Sequence, residues 1–271
     1  MEDHDYDRFT SHDGISIAYR VSGSGSRVIL VHGYTASSDT NFACHYQRRD
    51  SGLVETEGPT LESALVTACC QLAMLDLRGH GRSDSPHLPE RYSMKALADD
   101  VRALIDHLGW DRAAVAGYSL GAWIAERLLS DSWVSRAALC GISSDQITGK
   151  DPEFDTNWRI ASRCFLDGCW TDYPDYQVFR EWAERSSSDF GALGYVALAL
   201  EAISVEELRS ANVPVLVLNG GADLGAEDEH DLTPFIPGAK RITAGHSDHE
   251  TAPSDPVFQA ELSEFLTDSS G

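Results

Sequence analysis

The sequence predicts an α/β fold: a doubly wound, mostly parallel eight-stranded sheet with helices on both faces. Three observations carry this. Short apolar runs such as "RVILVHG", "RAAVAG" and "VPVLVLNGG" alternate with helical patterns along the chain. Those runs are apolar at consecutive positions, as in strands covered on both faces, rather than alternating as in half-exposed ones. And 271 residues suffice for one large domain with an inserted segment.

Taken in order, "YDRFTSH", the turn Asp13–Gly14 and "ISIAYRVSG" read as a hairpin. "RVILVHG" and "QLAMLDLRGHG" follow as strands running into Gly-rich loops. "SMKALADDVRALIDHLG" places Leu97, Val101, Leu104, Ile105 and Leu108 on one stripe of a helix that Ser93 caps and Gly109 ends. Strand "RAAVAG", helix "LGAWIAERLLS" and strand "VSRAALCGIS" come next, then a long mixed segment, strands "VPVLVLNGG" and "KRITAG", and a closing helix in "DPVFQAELSEFL". There is no internal repeat or low-complexity tract.

The formal net charge of −22, from 43 acidic against 21 basic residues, argues against nucleic acid and anionic membrane surfaces, which need clustered Lys and Arg. The amino terminus has neither the basic nor the apolar region of a secretory signal, and no run is apolar enough to span a bilayer. A soluble cytoplasmic protein is expected, with self-association left open. Six cysteines (Cys44, Cys69, Cys70, Cys140, Cys164, Cys169) form no CxxC pair and read as buried small hydrophobes.

The chemistry-bearing constellation begins at "AVAGYSLGAW", residues 114–123. Ser119 lies between Gly117 and Gly121, at the junction of an apolar strand and a helix, which matches a nucleophile elbow. So tight a turn brings neighbouring backbones into contact, so a Cβ at either glycine would collide. The helix directs its positive N-terminal end and the Leu120 N–H at any oxyanion formed beside Ser119. Upstream, "VILV" ends in "HGYTAS", where the Tyr34 N–H is positioned as the second oxyanion donor. Downstream, "VLVLNGGAD" ends in Asp223 and "RITAGH" in His246, giving the chain order Ser, acid, His at three strand ends.

With "HGYTAS", "DLRGHGRSD", "GYSLG", "GGAD" and "AGH" in this order, the chain resembles the α/β-hydrolase fold superfamily, in its serine esterase and lactonase branch, over nearly its whole length. The resemblance implies Ser119 as nucleophile, His246 as general base and Asp223 as the acid that orients it, with the Tyr34 and Leu120 N–H groups as oxyanion hole. Glu227 and Asp228 stand as rivals to Asp223, and His249 as the rival to His246. His32 and His80 read as loop-holding residues. The acidic stretches "EDEHD" and "HSDHE" read as solvated surface, with no metal and no cofactor expected.

The same resemblance implies a core of residues 1–143 and 211–271 and a helical cap (lid) of residues 144–210, inserted after the sixth strand. Ten of the chain's 24 aromatics lie between Lys150 and Leu200. Those not needed for the cap's own core are expected to line an apolar pocket, with Trp158, Phe165 and Trp182 as candidates. Between His32 and Asp76 the chain is longer than usual for the superfamily, so residues 39–61 read as an insertion that either borders the pocket or elaborates the surface. The expected activity is hydrolysis of a carboxylic ester or lactone of a moderately apolar small molecule through an acyl-enzyme. Carbon–carbon bond hydrolysis of aromatic ring-cleavage products is the enzymatic alternative, and ligand binding or signalling on the same fold the non-enzymatic one.

Overall fold

The computed structural model describes residues 6–268; residues 1–5 and 269–271, the ends of the two expected core segments and the start of the stretch read for a leader, lie outside it. The main sheet has eight strands in the order β1-β2-β6-β3-β7-β8-β9-β10. They are β1 (Asp7–Thr10), β2 (Ser16–Gly23), β3 (Ser26–Val31), β6 (Cys70–Leu75), β7 (Ala113–Tyr118), β8 (Val134–Cys140), β9 (Val215–Gly220) and β10 (Lys240–Ala244). β2 runs antiparallel to β1 and β6, and the pairs from β6 to β10 are parallel. The expected hairpin forms at β1–β2, where Gly14 takes φ 89° and its N–H bonds to the Ser11 carbonyl.

Continuous apolar runs become central strands for the reason their sequence suggested. All six residues of β7 and of β9 are buried. One face is covered by α2 (Met94–Leu108) and α3 (Leu120–Glu126), the other by α1 (Leu61–Thr67) and α8 (Pro256–Thr267). The Ser93 side chain accepts from the Ala96 N–H to cap α2, and Gly109 ends the helix at φ 62°. Asp255 caps α8 with Pro256 at its first position. α3 is shorter than its pattern: Leu128 and Leu129 N–H groups bond three residues back, so the last turn tightens and the helix stops at Glu126.

Residues 39–61 fold into a short π-helix at Asp39–Ala43 and a separate hairpin of β4 (Tyr46–Arg49) and β5 (Gly52–Glu55), leading into α1. Its sequence carries no apolar stripe, since the hairpin is half-exposed and held by neighbours from elsewhere in the chain. α4 (Phe154–Asp167), α5 (Gln177–Arg185), α6 (Phe190–Ala199) and α7 (Val205–Arg209) follow β8, the sixth strand of the main sheet in chain order. Cys69 adopts φ 62° in the turn that feeds β6, while Cys70 is fully buried beside Leu72 and Leu65. Among the described residues no helix is long and apolar enough to cross a membrane.

Two buried carboxylates hold the loops above the strand ends. Asp100 accepts from Arg78 Nε at 2.7 Å and Nη2 at 2.6 Å, fixing the "DLRGHG" loop to α2. Asp76 accepts from the Ser38 N–H at 2.9 Å and the Arg82 N–H at 2.9 Å, tying that loop to the one that follows β3. A Cβ on Gly121 would lie 1.9 Å from the Val31 carbonyl oxygen. Gly121→Ala is therefore expected to cost about 3 kcal/mol or leave no folded protein, whereas Ser93→Ala, which removes only a cap, should cost about 1 kcal/mol; equilibrium chemical denaturation distinguishes the two.

Candidate active site

Ser119 sits between β7 and α3 at φ 54° and ψ −116°, a conformation that side-chain-bearing residues avoid. Its strain is held from several directions. Its N–H donates to the Cys140 carbonyl at 2.8 Å, and its carbonyl accepts from Ala122 at 2.8 Å. A Cβ on Gly117 would lie 2.0 Å from the Gly121 carbonyl oxygen, so both glycines are required by the closeness of strand and helix.

The turn after β3 faces this serine. Gly33 is so near that a Cβ there would lie 3.2 Å from Ser119 Cβ. Its N–H donates to Asn41 Oδ1 at 2.8 Å, from the π-helix at Asp39–Ala43. His32 accepts the Leu77 N–H on Nε2 at 2.9 Å, which leaves the proton on Nδ1 to donate to the Gly33 carbonyl at 2.8 Å. Among the described residues the N–H groups of Tyr34 and Leu120 have no acceptor. The Tyr34 side chain turns to the helices that follow β8, donating to the Leu193 carbonyl at 2.9 Å and meeting Phe179 edge-on at 5.4 Å.

At the other wall, Asp223 follows β9 and is 6% exposed, and its Oδ2 lies 2.9 Å from His249 Nδ1. Asp228 instead pairs with Arg241 at 2.7 Å on the open surface, and Glu227 is largely exposed. His249 and Ser119 line one cavity of about 170 Å³ together with Tyr34, Tyr118, Trp158, Phe179 and Trp182. His246 is exposed and does not reach this cavity.

The expectation that His246 would face the elbow is thus corrected to His249, for a reason of backbone geometry. Gly245 leaves β10 at φ 62°, and the Ser247 carbonyl bonds to the Ala222 N–H, so residues 246–247 lie against the end of β9. The chain then returns at Asp248, whose Oδ1 accepts from the N–H groups of Glu250 and Thr251 and from the Thr251 hydroxyl. This turn points His249 inward, and Tyr118 Oη holds its carbonyl. The "DxxT" of residues 248–251 was the local signal for it.

Enclosure by protein opposes the charged form of His249, yet the hydrogen bond and charge of Asp223, with the charge of Asp248, hold its pKa above the ordinary 6.5. The ring is not sealed: 45% of its side-chain surface stays open. Of the aromatics expected at the pocket, Trp158 and Trp182 line it, whereas Phe165 is buried among Tyr34, Trp170 and Phe190 and serves packing. Away from the cavity, Glu227, Glu229 and His230 bring ligand-type atoms within 4.8 Å of one another, but His230 lies 2.8 Å from Asp145 and the glutamates are exposed.

His32 and His80 are fully buried and stacked edge-on at 5.1 Å; burial lowers the first to about 4, and burial with the charge of His32 lowers the second to about 3. The unfolded chain therefore takes up protons near pH 6.5 before the folded one does. Stability from this pair is complete above pH 6.5 and is lost as pH falls toward the folded values, at up to about 1.4 kcal/mol per pH unit for each group. Denaturation at pH 7 and pH 5 should show this loss, and His80→Leu should reduce it.

A family model described as the alpha/beta hydrolase fold matches residues 26–168. The 3-oxoadipate enol-lactonase 2 of Acinetobacter baylyi is 32% identical over 176 residues, 55% of this chain and 60% of that protein. A Mycobacterium bovis protein is 30% identical over 118 residues, 44% of this chain and 29% of its own length, so the chain spans less than two thirds of the length of these relatives. Among solved structures, a thermophilic esterase from Thermogutta terrifontis superposes with a TM-score of 0.71 at 22% identity, covering 96% of this chain and 98% of that one. With the strand order, the strained elbow and the family match in agreement, the chain belongs to the α/β-hydrolase fold family.

Proposed function

We propose that this protein hydrolyses a carboxylic ester or lactone of an uncharged, moderately apolar small molecule, with Ser119 as nucleophile, His249 as base and Asp223 as its orienting acid. The observation that carries this reading is that Ser119 and His249 share one cavity while the Asp223 carboxylate stands 2.9 Å behind the imidazole. A serine hydroxyl attacks a carbonyl at neutral pH only if a base takes its proton. With its Nδ1 proton donated to Asp223, His249 presents a basic Nε2 toward the cavity, and the imidazolium formed in the attack is stabilised by the carboxylate.

The N–H groups of Tyr34 and Leu120 are the oxyanion donors in this reading, each worth roughly 3–4 kcal/mol in the transition state by comparison with donor deletions in other enzymes. The alcohol or the opened ring oxygen leaves with the proton from His249. Water, deprotonated by the same imidazole, then releases the acid from Ser119. Similarity to an enol-lactonase and to an esterase supports the bond type.

The cavity supports the substrate class. Its apolar walls are Trp158, Val178, Phe179, Trp182 and Ala36, and none of the lining residues is Lys or Arg; Glu250, also lining it, is paired with Arg48. A carboxylate-bearing substrate would find no counter-ion among these residues.

Intact-mass measurement after exposure to a fluorophosphonate should give one adduct, lost in Ser119→Ala. His249→Ala should lower kcat on p-nitrophenyl esters by about 10⁴-fold or more, with His246→Ala close to wild type, and Asp223→Asn should cost about 10³–10⁴-fold. Absence of an adduct, or of turnover on esters, lactones and a vinylogous diketone, would replace hydrolysis by ligand binding.

A further inference from the structure

The hairpin β4–β5 touches two parts of the molecule at once, the loop that carries His249 and the helices that follow β8. Toward the base, Arg48 Nε donates to Asp248 Oδ2 at 2.9 Å, and its Nη2 contacts both Asp248, at 2.8 Å, and Glu250. Asp248 and Glu250 are the residues on either side of His249. Asp248 Oδ1 is already committed to the turn, to Glu250, Thr251 N–H and the Thr251 hydroxyl, so Arg48 supplies the partner of the other oxygen. Toward the helices, Tyr46 meets Trp182 edge-on at 5.1 Å, and Arg185 donates to the Leu53 carbonyl at 3.3 Å. The hairpin is itself anchored by the Tyr46 N–H on Ser254 Oγ at 2.8 Å.

We propose that Arg48 is a positioning residue for the base: from the hairpin it clamps the two carboxylates flanking His249, fixing the imidazole against Ser119 and offsetting their charge. This rests on the reading of His249 as base. Arg48 does not line the cavity, so it acts through the loop and not on substrate.

The charges around His249 give this role a signature. Asp223 after β9, Asp248 and Glu250 on its own loop, and Arg48 on β4 are the charged groups facing it, with the Tyr118 hydroxyl donating to its carbonyl. Asp223 and Asp248 are the two carboxylates whose charge favours the imidazolium, and without Arg48 they act with no cation beside Asp248. The imidazolium becomes easier to form, and less free base is present near neutral pH. Loosening of the loop adds a loss in rate, since displacement of a catalytic group by about 1 Å can cost as much as 10²-fold.

The test is the first-order rate of Ser119 phosphonylation by a fluorophosphonate, measured from pH 6 to pH 9 with wild type, Arg48→Ala, Arg48→Lys and His249→Ala. Arg48→Ala should react about tenfold more slowly at pH 7, with the deficit shrinking as pH rises, at an unchanged thermal midpoint because the side chain is half-exposed. Arg48→Lys should restore the pH profile but only part of the rate, since lysine returns the charge without the two-pronged geometry. Wild-type rate and profile in Arg48→Ala, with His249→Ala inactive, would overturn this inference alone. A slower rate with an unshifted profile and a lowered thermal midpoint would also overturn it, as a structural role does that. Full reactivity in His249→Ala would instead overturn the assignment of the base.

Discussion

The close approach of three backbones at Ser119 is the constraint on which the rest of the site depends. β7 enters, α3 leaves, and the end of β3 passes so near that Gly121 has no room for a Cβ beside the Val31 carbonyl. This contact fixes where the serine hydroxyl stands. It also brings the turn after β3 to the same spot, since β3 and β7 are parallel neighbours whose ends coincide at Val31 and Gly117. The strain at Ser119 persists because the sheet on one side and the helix on the other leave the residue no alternative.

Around that point the protein spends most of its buried polar chemistry on loops rather than on the sheet. Asp76, Asp100, His32 and Asn41 each accept or donate to backbone or side-chain groups of the segments above the strand ends. Buried charge is costly unless fully partnered, and Asp100 with Arg78 meets that condition through two hydrogen bonds. Loops carry functional groups in this architecture, and these pairs give them the rigidity that the strands already have.

The segment between His32 and Asp76 takes part in this arrangement. Asn41 holds the Gly33 N–H, and Arg48 holds the loop that carries His249. One polar segment therefore contacts both sides of the cavity as well as Trp182 of α5. Its composition left a pocket border and surface elaboration equally open because its side chains bond to carboxylates and backbone groups of distant loops. Such partners leave no periodic pattern in the segment itself.

Much of the fold was legible in the residues: strand runs buried on both faces, the Ser93 and Gly109 boundaries of α2, and the Gly117–Ser119–Gly121 elbow all follow from local hydrophobic patterning and backbone sterics. Three carboxylates after an apolar strand stood as candidates in the sequence, and only tertiary structure distinguishes their surroundings: Asp223 is buried against an imidazole while Asp228 faces Arg241 at the surface. The histidine was not decidable from the strand end. Which of His246 and His249 turns inward is set by Gly245 in a left-handed conformation, by the packing of Ser247 on β9 and by the Asp248 turn that Arg48 clamps. These are contacts between residues up to 200 positions apart. Sequence determined which side chains the strand ends could offer; the path of one loop across the sheet edge decided which imidazole reaches the cavity that Ser119 lines.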